Sequence, residues 1–157
     1  MRRVTAILSV AVVLMAAGLV AQAKPSFAGE WKKVAAGGQG EPGVDLIITQ
    51  GAAAMTVEYT RGEAPAPVKL TYMLDGSASK NMMAGHGGSA PNEQVSKAMW
   101  AANKLVVTTT TGAGEEKRTF SIDGGDLVVE TSAPSRDGRA PNVTKVAYKR
   151  YERGHGG

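Results

Sequence analysis

The residues best suited to hold a metal form a small cluster, Met82, Met83 and His86, in a glycine-rich stretch. Thioether and imidazole groups are soft ligands of the kind that suits copper. The second histidine, His155, lies in another glycine-rich segment. This spacing is not diagnostic, so copper binding is one hypothesis and a plain surface segment is its alternative. No cofactor is predicted.

Catalytic chemistry has little support in the sequence. The chain has no cysteine, and it lacks the Gly-x-Ser-x-Gly turn that exposes a nucleophilic serine. Neither histidine is carried on a strand that could hold a general base in place. The carboxylates Glu115, Glu116, Asp123 and Asp126 fall in predicted turns, where we expect them to be solvated. We therefore predict that the protein is not an enzyme.

Aromatic side chains are the better candidates for chemistry, as the lining of a pocket for a small molecule. Tyrosine and tryptophan combine a broad apolar face with one hydrogen-bonding group, and ligand pockets are built from such surfaces. The alternative is that the same rings fill a solid core. The predicted ligand-binding residues are Tyr59, Tyr72, Trp100, Phe120 and Tyr148.

The elements that must position these rings are β-strands. Apolar and polar residues alternate in short runs, as in 55–59, 68–74 and 118–122, and glycine or proline connections separate the runs. This period of two is typical of antiparallel strands. In the run 118–122, Arg118 falls on the same face as Phe120. Nine strands are predicted, at 27–34, 44–50, 54–60, 68–74, 94–100, 104–111, 116–122, 126–132 and 143–151.

Three of the predicted connections are four-residue hairpin loops. A loop of this length returns the chain with the same face inward, so we expect Ile48 near Val57, Ala98 near Val107 and Phe120 near Val129. Successive hairpins favour a closed up-and-down meander barrel of about eight to nine strands, which removes exposed sheet edges. A two-sheet sandwich is the alternative.

Residues 75–93 form a connection longer than a hairpin needs. They contain four glycines and include Met82 and Met83. Long connections without secondary structure are often functional, so this one is predicted either as a plain surface loop or as a lid over the barrel mouth.

Residues 1–23 have the features of a cleaved signal peptide, which leaves 24–157 as one barrel domain. Arg2 and Arg3 precede an apolar run, and Ala21-Gln22-Ala23 matches a signal peptidase site. The apolar run is shorter than the roughly 20 residues that span a bilayer. Without a cysteine there is no site for a lipid anchor. We therefore expect a periplasmic or secreted protein with no membrane attachment after cleavage.

The charge of the chain argues against a nucleic-acid partner. It has 18 basic and 14 acidic residues, and two of the basic ones belong to the predicted leader. The remaining charges are nearly balanced and scattered, without the basic patch that nucleic-acid binding needs.

Five segments spread along the chain form a recognisable set. They are Phe27-x-Gly29-x-Trp31, Thr71-Tyr72-x-Leu74-Asp75-Gly76, Trp100-x-x-x-Lys104-Leu105-Val106-Val107-Thr108, Leu127-Val128-Val129 and Val146-x-Tyr148-Lys149-Arg150. Together they resemble the small bacterial lipocalin-like domains of the calycin superfamily, over nearly all of the chain after the leader. The resemblance implies a β-barrel in which Trp31 packs at the closed end beneath the guanidinium of Arg150, with Gly29, Trp31 and Arg150 as a structural signature.

The prediction from sequence is therefore an exported, non-enzymatic lipocalin-like protein that binds a small apolar ligand inside its barrel. Two alternatives stay open. One is a filled barrel that serves as an envelope interaction protein, and the other is a copper-binding protein that uses the Met82–His86 stretch.

Overall fold

The computed structural model describes residues 23–34, 45–59, 67–83, 90–135 and 137–151. The predicted leader therefore lies outside the described residues except for Ala23. The described chain forms ten β-strands, and within these ranges it contains no helix and so none that could cross a membrane. The strands are β1 (Gly29–Lys33), β2 (Asp45–Gln50), β3 (Ala54–Tyr59), β4 (Val68–Met73), β5 (Ala78–Met83), β6 (Asn92–Ala101), β7 (Lys104–Thr111), β8 (Gly114–Asp123), β9 (Asp126–Ala133) and β10 (Asn142–Arg150).

All ten strands belong to one antiparallel sheet that curls into a nearly closed barrel. The hydrogen-bonded order is β4-β3-β2-β1-β10-β9-β8-β7-β6-β5, so the first and last strands are neighbours. The predicted hairpin registers are confirmed: Ile48 pairs with Val57, Ala98 with Val107 and Phe120 with Val129. The prediction of an all-β meander barrel is confirmed too. The barrel has ten strands, one more than the upper limit of the predicted eight to nine.

The additional strand, β5, lies in the stretch that was predicted as a loop. Residues 78–83 pair with β6 along their whole length, so the loop prediction for 75–93 is wrong over this segment. The reason is that the buried positions of β5, Ser79 and Asn81, are polar. They give no apolar alternation, and the segment resembles a solvated turn. Residues 84–89, including His86, lie outside the described residues.

The barrel is closed between β4 and β5 by side chains. The Asn81 side chain accepts a hydrogen bond from the Thr71 amide at 2.7 Å and donates one to the Thr71 carbonyl at 3.0 Å. The Ser79 hydroxyl accepts from the Met73 amide at 2.8 Å. These bonds satisfy backbone groups at a strand edge that would otherwise lack a ladder partner. We call this contact the β4–β5 seam.

The segment before β1 covers one end of the barrel. Phe27 is fully buried there, stacks on Trp100 with ring centroids 5.8 Å apart, and meets Phe120 at 6.1 Å. The Gln50 side chain accepts from the Phe27 amide and donates to the Pro25 carbonyl. The turns at 51–53, 74–77 and 124–125 lie at this same end. Apolar packing therefore fills this end of the barrel.

Candidate ligand-binding site

A cavity of about 190 Å³ lies inside the barrel. It lies between β2 and β3 on one side and β8, β9 and β10 on the other, towards the end where β2 begins and β3 ends. Apolar side chains supply most of its wall, and hydroxyl groups and one guanidinium supply the rest. The lining residues are Leu46, Val57, Tyr59, Arg118, Phe120, Val129, Thr131, Val146 and Tyr148.

Strand alternation explains why these side chains meet. Arg118 and Phe120 are two residues apart on β8 and so face the same side. Phe120 is paired with Val129 on β9, and Val129 with Val146 on β10. The same parity that buries Phe120 therefore carries the Arg118 side chain into the interior.

Arg118 is the one charged residue among the described cavity-lining side chains, and it is already paired. Its Nη2 donates to Glu116 Oε1 at 2.6 Å, and the two side chains are only 28% and 26% exposed. The guanidinium also lies close enough to the phenol of Tyr72, which is almost fully buried, for each to influence the pKa of the other. The polar side of the cavity is thus a network with no net charge.

The pKa shifts at the site reflect this arrangement. Burial disfavours the charged guanidinium, but Tyr72, Glu116 and Tyr59 outweigh that effect and raise the pKa of Arg118. Burial raises the pKa of Tyr72, and the nearby Arg118 opposes part of the rise. Burial likewise raises the pKa of Tyr148, again opposed by Arg118. Both phenols are therefore neutral hydrogen-bonding groups near neutral pH.

The structure brings together three of the five residues predicted to bind a ligand. Tyr59, Phe120 and Tyr148 line the cavity. Tyr72 does not; it lies near Arg118, which does line the cavity. Trp100 lies at the covered end, where Phe27 stacks on it and the Lys24 ammonium is 5.4 Å from its ring centroid. Two of the five predicted residues, Tyr72 and Trp100, therefore lie outside the wall of this cavity.

Sequence reasoning did not identify Arg118 and Glu116 as parts of the site. The expectation that Glu116 lies in a solvated turn is wrong, because it is a β8 residue whose carboxylate faces Arg118. The sequence did contain a signal for them, because Arg118 and Phe120 are two residues apart and so share the apolar face of a predicted strand. A charged residue on such a face indicates a buried ion pair, since a charge is buried only with a partner.

The methionines of the copper hypothesis do not converge. Met82 and Met83 are consecutive residues of β5, so their side chains point to opposite faces; Met82 is exposed and Met83 half-buried. Among the described residues there is no group of three or more histidine, cysteine or carboxylate side chains that could hold a metal ion.

The geometry defines a ten-stranded, nearly closed antiparallel β-barrel with an internal cavity, and several solved barrel structures share this fold. Among solved structures, the fluorescent protein UnaG matches with a TM-score of 0.58 and 20% identity over 80% of this chain and 97% of UnaG. Human cRBP IV matches with a TM-score of 0.59 and 14% identity over 82% of this chain and 100% of that one.

A third solved structure, the REP1-NXSQ fatty acid transporter, matches with a TM-score of 0.57 and 12% identity, covering 80% of this chain and 96% of the transporter. At these identities the likeness is one of fold. No protein-family model and no curated protein matches the sequence.

Proposed function

We propose that this protein is a non-enzymatic carrier or sensor that binds a small, mainly apolar molecule in the barrel cavity. The observation that carries the proposal is the cavity itself, with apolar walls and the polar groups of Tyr59, Arg118 and Tyr148 at its edge. This composition matches ligand pockets, in which a few polar groups orient a mostly apolar molecule. The naming of one structural neighbour as a fatty acid transporter supports a binding role.

The size of the cavity limits the ligand. Pockets for drug-sized molecules measure roughly 300 to 1,000 Å³, and this one measures about 190 Å³. We therefore infer a ligand with a short apolar body. Medium-chain molecules are the appropriate probes.

Isothermal titration calorimetry tests the proposal with octanol and decanol and with the matching acids, octanoate and decanoate. The test variant is Val146→Phe, which places a ring in the cavity. The matched control is Lys145→Phe, which adds the same ring at an exposed neighbouring position on the same strand. Overfilling a packed interior excludes a guest or strains the core, so thermal melts accompany each titration.

We expect the wild type and Lys145→Phe to bind at least one probe, and a folded Val146→Phe to bind it at least about tenfold more weakly, a difference of roughly 1.4 kcal/mol. Equal binding by both variants would place the ligand outside the cavity and overturn the proposal. If the wild type bound none of the four probes, a filled structural barrel would be the better account.

We also propose that the barrel is exported from a bacterial cell. The proposal rests on the basic start, apolar run and Ala21-Gln22-Ala23 motif of residues 1–23. Expression of the full chain in a bacterium, followed by cell fractionation and N-terminal sequencing, tests it. The expected product is periplasmic or secreted and begins at Lys24. An uncleaved chain in the cytoplasm would contradict export.

A further inference from the structure

The pairing of Arg118 with Glu116 determines what kind of head group the cavity can accept. The two residues are two positions apart on β8, and their side chains meet at 2.6 Å on the inward face. Arg118 lines the cavity, whereas Glu116 lies beside it, opposite Thr109 of β7. The positive charge that faces the cavity is thus balanced from within the same strand.

Both charges are held where water screens them poorly. Their side chains are about three-quarters covered, and Tyr72, one of Arg118's partners, is almost fully buried. A charge transferred to such surroundings is costly unless an opposite charge is available to it. A ligand carboxylate would bring a second negative charge to a guanidinium that already has its counter-ion, and would be repelled by Glu116.

A neutral head group meets no such obstacle. A guanidinium has five N–H donors. Glu116 accepts one hydrogen bond from it, which leaves donors for a ligand oxygen. Tyr59 and Tyr148 add phenol groups to the same wall, and each can donate or accept. The site therefore offers several hydrogen bonds and no uncompensated charge.

We infer that the cavity selects an uncharged amphiphile with a hydroxyl or carbonyl head group over a carboxylic acid of equal length, and that Glu116 sets this specificity. This inference rests on the proposed binding function and adds the ligand class. In mechanistic terms, Glu116 is a specificity-determining residue that acts through Arg118 and does not need to touch the ligand.

The test compares octanol with octanoate by calorimetry at neutral pH in the wild type and two variants. Glu116→Gln keeps the size of the side chain and its oxygen acceptor but removes the counter-ion. Glu115→Gln is the matched control, because it removes the same charge from the neighbouring exposed position. Thermal melts show whether each variant is folded.

We expect the wild type and Glu115→Gln to bind octanol at least about tenfold more tightly than octanoate. Glu116→Gln should bind octanoate at least about tenfold more tightly than the wild type does, because the freed guanidinium can pair with the carboxylate. Tighter binding of octanoate than of octanol by the wild type, or an unchanged preference in Glu116→Gln, would overturn the inference.

Failure of the inference and failure of the binding proposal give different results. If octanoate binds best but Val146→Phe abolishes its binding, the cavity is a binding site and the assigned ligand class is wrong. If Val146→Phe leaves every titration unchanged, the cavity is not the binding site and both conclusions fall.

Discussion

The guanidinium of Arg150 lies over the indole ring of Trp31, with its carbon 4.4 Å from the ring centroid. The two residues are paired across β1 and β10. Arg150 Nη1 also donates to the Ala28 carbonyl at 2.9 Å, and Trp31 Nε1 donates to the Phe27 carbonyl at 2.8 Å. This contact, which the calycin resemblance implied, joins the last strand to the first and fixes the segment that covers the barrel end.

The contact between Arg150 and Trp31 also explains why residue 29 of the Gly-x-Trp motif is a glycine. A Cβ at Gly29 would collide with Nη1 of Arg150, and Gly29 has a φ of +142°, which side-chain-bearing residues rarely adopt. We expect Gly29→Ala to lower the free energy of unfolding by about 1 to 3 kcal/mol, the usual cost of a residue held in a disfavoured backbone conformation. Urea denaturation measures the change.

Gly124→Ala is the control for this prediction. Gly124 also has a positive φ, of +58°, but a Cβ there would meet no atom within 4 Å, so Gly124→Ala reports the cost of a left-handed backbone without any collision. The double variant Gly29→Ala/Arg150→Ala should lose less stability than the two single changes combined, because the collision is relieved. Strict additivity would show that the guanidinium does not set the requirement for glycine.

Trp31 should be the more important of the two tryptophans for stability. It is completely buried, whereas Trp100 is partly exposed and packs at the edge of the core. We expect Trp31→Ala to cost about 3 to 5 kcal/mol through the void it leaves, and Trp100→Ala to cost less. Urea unfolding of both variants measures the difference. A larger loss in Trp100→Ala would contradict the conclusion that the completely buried Trp31 packs in the core and Trp100 at its edge.

The β4–β5 seam should be a weak point of the barrel. Asn81→Ala removes the side-chain partner of both the amide and the carbonyl of Thr71, and an unsatisfied buried polar group costs about 1 to 3 kcal/mol. Asn81→Asp retains an acceptor for the amide, but it replaces the donor to the carbonyl with a carboxylate oxygen. We therefore expect the alanine variant to show the faster hydrogen exchange at the Thr71 amide.

Met73 provides a second amide for the same experiment. Its partner is Ser79, so Asn81→Ala should accelerate exchange at Thr71 more than at Met73, and Ser79→Ala should do the reverse. Equal acceleration at both amides in both variants would mean that the seam opens as one unit and that its two bonds do not act separately.

Much of this fold could be predicted from sequence because antiparallel hairpins are local. In the pairs formed by Ile48 with Val57 and Phe120 with Val129, a short loop fixes the register and alternation fixes the face. β5 could not be found in this way, since its inward residues, Ser79 and Asn81, bond to β4. That role depends on a strand neighbour which sequence alone does not reveal.

The candidate site was predictable only in its aromatic part. Tyr59 and Tyr148 were expected to face inward from the alternation of their strands, and both line the cavity. The position of Trp100 at the covered end depends on Phe27, which reaches it from outside any strand. The polar network of Glu116 and Arg118 was not predicted. Arg118 shares a face with the buried Phe120, but its partner Glu116 was expected in a solvated turn, so no pairing of the two charges was considered.

The raised pKa values of Tyr72 and Tyr148 predict a loss of stability at alkaline pH. Each phenol is neutral in the folded state, and burial raises its pKa above the ordinary tyrosine value of about 10. A raised folded-state pKa contributes stability that is complete below the unfolded-state value and is lost as the pH rises through the folded-state value. We therefore expect the urea midpoint to fall above about pH 10, where tyrosines of the unfolded chain ionise.

Tyr72→Phe separates this ionisation from other alkaline effects. At neutral pH the variant should be less stable than the wild type, by about 1 kcal/mol, because it loses the polar interaction of the phenol with the charged Arg118. Above pH 10 the wild type alone loses the contribution of Tyr72, so the stability difference should shrink. Ultraviolet titration of tyrosinate absorbance identifies the ionising group. A difference that stayed constant to the end of the titration would show that Tyr72 does not ionise on unfolding, contrary to its burial beside Arg118.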